Sequence, residues 1–273
     1  QRRGRAAGTL ASTNLADQVT PWTDAGEVLD ATSSRTILTR NSSTGNVVDF
    51  QFANLADSQK IALSPKATTP FYDETEGVKR VAFLRGDTTN EGDATGQYRK
   101  RNSTAPDSSV LGDIVNSSPT YISYPSLRYR DDLETPTHAE FRIANKDRAG
   151  MIYVGSNDGM LHGFSAADGA EKIAYIPSTA YANLARLTWQ SYNTTNVGAD
   201  AATTSEHRYF VDGTPVVGDA FWGGAWHTVL IGRLGAGGQG TFALDVTNPA
   251  TAFSTTNVLW EITDTQDADL GYT

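Results

Sequence analysis

Two stretches of the chain run through one pattern of residue types, and a repeat limits the fold more than any other feature. The first, Ile152–Gly169, reads IYVGSNDGMLHGFSAADG. Apolar runs at Met151–Gly155 and Met160–Ala166 flank the corner Ser156-Asn157-Asp158-Gly159, and Asp168-Gly169 makes a second corner before Glu171–Ile176. Asn-Gly and Asp-Gly corners accept the positive φ of tight hairpin turns, so the three runs read as strands joined in succession. The second stretch, Val211–Thr263, carries VDGTPVVGDAF, WHTVLIGRLGAGGQGTFALDVTNPA and NVLWEIT. Gly155 aligns with Gly232, Gly159 with Gly240, and Phe164 falls one position from Leu244; the glycine-rich loop is longer in the second copy. Pro119 and Pro215 each follow a Ser or Thr and precede an apolar run, where a missing N–H is tolerated at a strand start or an edge.

The repeating unit is therefore a four-stranded antiparallel sheet, and repeated sheets of this size point to a β-propeller with one sheet per blade. The strand TFALDV has bulk on both faces: Thr241, Ala243 and Asp245 on one, Phe242, Leu244 and Val246 on the other. Stacked blades cover both faces, which a sheet open to water on one side does not need. The expected fold is all-β: a quinoprotein-like (PQQ-type) propeller of four-stranded antiparallel blades, incomplete within this chain, with a short helix and irregular loops. Residues 1–107 form a lead-in and the first part of the propeller domain, and residues 108–273 form blades with inserted loops. In the lead-in, Arg35–Thr39 and Val47–Phe52 read as strands, and Asn54–Ala62 as a short helix. Val78, Val81, Ala82 and Leu84 give a second helix by their spacing. Tyr121–Ala149 and Ala180–Glu206 read as irregular excursions, and long loops on a rigid scaffold are the usual place for binding surface.

Composition narrows the function. The 273 residues carry a net charge of −9 and no cysteine. The charge argues against a nucleic-acid partner, which needs basic surface. The absence of cysteine removes disulfides, thiolate zinc sites and cysteine nucleophiles. No apolar stretch approaches the length of a membrane span. The basic start QRRGRAAGTLAS lacks a signal-peptide h-region, and the chain reads as a piece of a longer one.

Candidate sites each have a plainer reading. Asp158 and Asp168, with His162, form a possible ligand set, but an Asp at a corner needs only its own backbone as partner. His138, His162, His207 and His227 show no metal-ligand spacing, and His162 fits a satisfied core histidine. Asp264, Asp267 and Asp269 are the densest acidic cluster and the candidate metal ligands, although the offsets miss the alternating template of a calcium loop. Arg85-Gly86-Asp87 is an adhesion-type RGD tripeptide and also a plausible helix end, with Gly86 as the stop. Gly235–Gly240, GAGGQG, leads into a strand and lacks the Lys-Ser/Thr of a phosphate loop. Trp222, Trp226 and Trp260, with Phe221 and Tyr209, offer either a carbohydrate platform or packing between blades. Asn41, Asn102, Asn116 and Asn193 stand in sequons, for which no standard N-glycan is expected in a bacterial protein. No nucleophile–base–orienter set can be assembled, so no catalytic residue is named.

At VLGDIVNSSP, YVGSNDGMLHGF, HRYFVDGTPVVGD and LIGRLGAGGQGTFALDVT, and also at FLRGD…YRKR and ADLGYT, the sequence resembles the propeller domain of the PilC/PilY family of type IV pilus tip adhesins and biogenesis factors. The resemblance runs in order from about Asp24 to Thr273. It implies a non-enzymatic adhesin and pilus assembly factor, exported through the periplasm to the pilus tip or outer-membrane surface. The implied partners are minor pilins and a host-cell receptor or glycan. It implies no cofactor within these residues; the family's calcium loop is an acidic run expected beyond Thr273, so calcium belongs to the full-length protein. Two alternatives share the blade pattern: a quinone- and calcium-dependent dehydrogenase, and a lectin-like carbohydrate-binding propeller.

Overall fold

The computed structural model describes residues 24–101, 110–192, 207–249 and 252–273. Both copies of the repeat fold as antiparallel sheets. In the first, β3 (Thr120–Ile122), β4 (Met151–Gly155), β5 (Leu161–Ser165) and β6 (Glu171–Ile176) pair in succession. In the second, β7 (Val216–Trp222), β8 (Ala225–Arg233), β9 (Gly240–Asp245) and β10 (Val258–Thr263) do the same. The Asn157–Gly159 corner joins the second and third strands of one sheet, and the Gly235–Gly237 turn joins the second and third strands of the other. The two glycine corners are thus equivalent, as the repeat requires.

The first sheet is larger than the four strands expected. Two strands from the lead-in, β1 (Ile37–Arg40) and β2 (Val47–Asp49), extend it to six in the order β2-β1-β6-β5-β4-β3. β1 runs parallel to β6, with Ile37 opposite Ala174, so residues far apart in the chain close one edge. The expected strand Val47–Phe52 stops at Asp49, and Phe52–Asn54 turns into a 3-10 helix.

Two layers of core pin this arrangement. Between the sheets, Leu38, Tyr153, Leu161 and Tyr175 meet Leu230, Phe242 and Leu244. On the other side of the first sheet, Ile37, Ala174 and Ile176 meet a helical layer. That layer contains α2 (Asp57–Leu63) and α3 (Glu74–Leu84), while α1 (Ala25–Asp30) precedes β1 in the chain. α3 begins at Asp73, whose side chain accepts the Glu76 N–H at 2.9 Å, and buries Val81 and Leu84 toward the sheet. Each fully buried Leu or Phe contributes about 1.5–3 kcal/mol. β4 consequently has every residue buried, whereas the outer face of the second sheet leaves Val216, Trp222, Trp260 and Ile262 at least a third exposed.

Both excursions contain structure that the residue pattern did not convey. Within Tyr121–Ala149, α4 (His138–Ala144) starts at a capping box: Thr137 accepts the Glu140 N–H, and Glu140 accepts the Thr137 N–H. Within Ala180–Glu206, helical turns over 178–188 bury Ala180, Leu184 and Leu187 in the core. The polar run 193–206 lies outside the described residues.

The steps that open the two blades bond to each other. The Asn116 N–H donates to Asp212 Oδ1 (3.1 Å), the Ser118 N–H to Thr214 Oγ1 (3.0 Å), and the Thr120 hydroxyl to the Pro215 carbonyl (2.9 Å). The first two pairs share a separation of 96 residues. Equivalent positions of successive repeats therefore meet side by side, as neighbouring blades do around an axis.

Candidate binding surface

The Asn157-Asp158-Gly159 corner is a turn and also a junction. Asp158 Oδ1 accepts the Met160 N–H (3.1 Å), the local bond of a turn. Asp158 Oδ2 accepts the Gly112 N–H (3.0 Å), which ties in the chain leading to β3. Asn157 receives the Phe210 N–H at Oδ1 (3.0 Å) and donates through Nδ2 to Asp113 Oδ2 (3.0 Å). Asp168, the other corner aspartate, accepts the Ala170 N–H and stays exposed. The two residues look alike in sequence, and only the first joins distant segments.

Behind the corner runs a buried chain of charge. His162 Nε2 lies 3.0 Å from Asp158 Oδ2, and Nδ1 lies 2.7 Å from Glu171 Oε1. Arg35 grips Glu171 through Nε (2.7 Å) and Nη2 (2.8 Å). Burial acts to lower the imidazole, but Asp158 and Glu171 outweigh it and hold the pKa at about 9. With a carboxylate at each nitrogen, both ring nitrogens donate and the ring is an imidazolium. Burial acts to raise both carboxyls; His162, the Gly112 N–H and Arg35 bring Asp158 below its ordinary range, and Arg35 and His162 do so for Glu171. Alternating charges compensate one another in a closed interior, which fits a scaffold role.

The other histidines are paired likewise: His138 with Asp219 (2.9 Å), His207 with Asp113 (2.8 Å), and His227 with Asp245 (2.7 Å). Asp264, Asp267 and Asp269 are exposed in the turn after β10, where the Asp269 N–H donates to Asp267 Oδ1 (3.1 Å). Among the described residues no three His, Asp or Glu side chains converge to hold a metal.

Arg85, Gly86 and Asp87 sit where α3 ends, with Gly86 at φ 113°. The Arg85 guanidinium turns inward and donates to the Arg35 carbonyl (2.7 Å) and the Phe50 carbonyl (3.1 Å). Its pKa is lowered by burial and by Arg35. Asp87 is exposed, so in this conformation the tripeptide presents its carboxylate while its cation is engaged. The tryptophans do not form one platform. By strand register Trp226 shares the inner face with Phe221, their rings 5.5 Å apart, whereas Trp222 and Trp260 lie on the outer face. Asn41 and Asn116 both use their side-chain amides within the chain, toward the Asn54 carbonyl and Asp212. Asn102 and Asn193 lie outside the described residues.

A cleft of about 350 Å³ opens between the chain after β3 and the first strand of the second sheet. Ser123, Tyr124, Ser126 and Leu127 line one side, Val217–Asp219 the other, and Arg148 and Thr228 are also in its wall. Thr228 bridges two charges: its hydroxyl donates to Asp219 Oδ1 (2.8 Å) and accepts from Arg148 Nη1 (2.7 Å). Arg148 Nε donates to the Ser123 carbonyl, whereas Nη2 is buried with no acceptor. Tyr124 and Leu127 are 49% and 44% exposed. The excursion after Tyr121 therefore lines a cleft, although no sequence motif marked Arg148, Asp219 or Thr228. They come from three separated segments, and only the fold unites them.

Two stacked sheets with bonded opening steps, paired histidines and a loop-lined cleft define a section of a β-propeller. A family model described as the PilY1 beta-propeller domain matches residues 111–272. The type IV pilus biogenesis factor PilY1 of Pseudomonas aeruginosa strain PAK is 41% identical over 97% of this chain and 21% of its own length. A PilY1 homolog of Xylella fastidiosa strain Temecula1 is 34% identical over 82% of this chain and 17% of its own. A crystal structure of the P. aeruginosa PilY1 C-terminal domain is 44% identical, covers 56% of this chain and 27% of that one, and superposes with a TM-score of 0.39. The chain belongs to the PilY1 family, and it spans about a fifth of the length of the P. aeruginosa relative. No helix among the described residues is long and apolar enough to cross a membrane.

Proposed function

We propose that this chain is the propeller section of a type IV pilus biogenesis factor, acting without catalysis as an assembly factor and surface adhesin. The observation that carries the reading is the 41% identity to a protein of that name along 97% of the chain. The excursion after Tyr121 offers contact surface for minor pilins, and for a host or surface receptor. The site of action is the pilus tip outside the cell, at or beyond the outer membrane. Asp87 of the RGD tripeptide is the acidic contact of any integrin-type receptor, once Arg85 is released from the Phe50 and Arg35 carbonyls. Calcium binding is assigned to the full-length protein, in chain outside these residues.

The test is deletion of the gene with complementation, scored by surface piliation and attachment, together with a pull-down of minor pilins. Loss of pili, restored by the intact gene, is expected. Normal piliation and attachment in the deletion strain would overturn the proposal. Dye reduction by the protein with added quinone, calcium and an alcohol would overturn its non-enzymatic part.

A further inference from the structure

We infer that the cleft between Tyr124 and Asp219 binds a neutral saccharide. The inference deepens the reading of the chain as a non-enzymatic adhesin, and names what its loop surface takes. The volume of about 350 Å³ is at the small end of ligand sites, which run from about 300 to 1,000 Å³. That suits a single sugar ring or the terminal residue of a glycan.

The lining selects the class. Its polar side chains are hydroxyls (Thr120, Ser123, Ser126, Thr228 and the phenols of Tyr121 and Tyr124) with one carboxylate, Asp219, and one guanidinium, Arg148. The two charges are joined through Thr228 and compensate each other, so an ionic ligand would enter without a counter-charge. An apolar ligand would leave Arg148 Nη2 without an acceptor and would cover the Ser123 and Ser126 hydroxyls. A polyol meets both conditions, because each hydroxyl donates and accepts. Asp219 uses one bond at each oxygen, toward Thr228 and His138, and retains acceptor capacity for a sugar hydroxyl. Arg148 Nη2 is the donor in the wall that lacks an acceptor, and a ligand oxygen reaching the guanidinium supplies one. Tyr124 provides a half-exposed aromatic surface for the apolar face of a pyranose. Tyr121, more exposed still, also lines the cleft; it pairs with Ile152 in register and its hydroxyl end lies beside Gly150.

The experiment titrates the protein, as it is produced in the cell, with glucose, galactose, mannose, N-acetylglucosamine and lactose, and with glucuronate and N-acetylneuraminate as acidic counterparts. Saturation-transfer NMR and calorimetry read the binding. At least one neutral sugar is expected to bind with a Kd of about 1 mM or tighter. Tyr124→Ala should weaken it about tenfold, with unchanged circular dichroism, because the ring is half exposed. Asp219→Asn should weaken it too, and Leu133→Ala, exposed outside the cleft, should leave it unchanged. Binding of the acidic sugars alone, neutral binding that survives Tyr124→Ala, or no neutral binding would each overturn the inference. The minor-pilin pull-down is run in parallel on the same preparations: absence of neutral-sugar binding overturns this inference alone, and absence of pilin capture overturns the assembly reading alone.

Discussion

The two sheets share strand order, corners and opening steps, yet they stand in different surroundings. The first is packed on both faces, by helices on one side and by its neighbour on the other. The second is closed on one face and half open on the other. One His–carboxylate pair from each sheet shows what this does. His162 and Glu171 in the first sheet are 0% and 2% exposed, and His227 and Asp245 in the second are 24% and 18% exposed. The two pairs stand at different strand positions, His162 on β5 with Glu171 on β6 and His227 on β8 with Asp245 on β9, so they are analogous pairs in two dielectric settings rather than copies of one motif. The buried pair needs Arg35 and Asp158 to complete its charge balance, and the half-open pair has solvent exposure and Thr247, whose N–H reaches Asp245 Oδ1 at 2.9 Å.

The largest expected effect breaks that balance. Glu171→Ala leaves Arg35 and His162 as buried charges short of a partner, and removing one member of such a pair costs about 3–5 kcal/mol. Asp245→Asn should cost only about 0.5–1.5 kcal/mol, the net value of one hydrogen bond. Denaturant melts of the two variants compare the sheets directly. Equal losses would mean that burial does not distinguish them.

The pH profile sharpens the same contrast. The folded pKa of His162, about 9, lies above the ~6.5 of an unfolded histidine. Its contribution is therefore fully present below about pH 6.5 and is lost as pH rises through about 9. Asp158 and Glu171 are lowered, so their contribution is present above the ordinary carboxylate range near 4 and is lost as pH falls below it. Wild-type stability should be flat between these limits and decline on both sides. His162→Gln should abolish the alkaline decline between about pH 6.5 and 9; an unchanged alkaline limb would show that the imidazolium is not its source.

A smaller effect is expected at the paired glycines. A Cβ on Gly155 would sit 2.1 Å from the Val211 carbonyl oxygen, and one on Gly232 would sit 2.1 Å from the tip of the Phe242 ring. Backbone at a blade junction yields less than a ring. Gly155→Ala should therefore cost more than Gly232→Ala, within the ~1–3 kcal/mol usual for overpacking. The reverse order in thermal melts would mean that the blade junction is the softer of the two contacts.

The comparison also explains what the residue pattern conveyed. Period-two runs between glycine corners fixed the strands from β4 to β9, because strand and turn chemistry is local. The Arg35–Glu171 grip spans 136 residues, and the parallel pairing of β1 with β6 is similarly remote, so neither leaves a mark in a window of neighbours. Asp158 and Asp168 carry one local signal, and the difference between them is made by the approach of the chain at Gly112 and by His162. α4 was legible in principle: Thr137-x-x-Glu140 is a capping signature, hidden in an excursion rich in Pro and charge. Arg148 and Asp219 had no motif at all, since a cleft assembled from three segments has no sequence neighbourhood.

The smallest effect tests the open face itself. Val216 begins β7 opposite Ile231 and is 50% exposed, whereas Leu230, opposite Val217 on the inner face, is fully buried. Leu230→Ala should cost about 2–5 kcal/mol through the cavity it leaves. Val216→Ser removes a side chain that already meets water, so the 273-residue chain should change by about 0.5 kcal/mol or less, as surface substitutions do. Both are read by urea melts at one protein concentration. If Val216→Ser costs more than about 1 kcal/mol, the outer face is covered in solution, and repetition of the melt across a range of concentrations separates self-association from cover by the chain's own residues. If it costs little, the asymmetry between the sheets is a property of these residues, and the apolar groups at Trp222, Trp260 and Ile262 remain available to whatever packs beside the second blade.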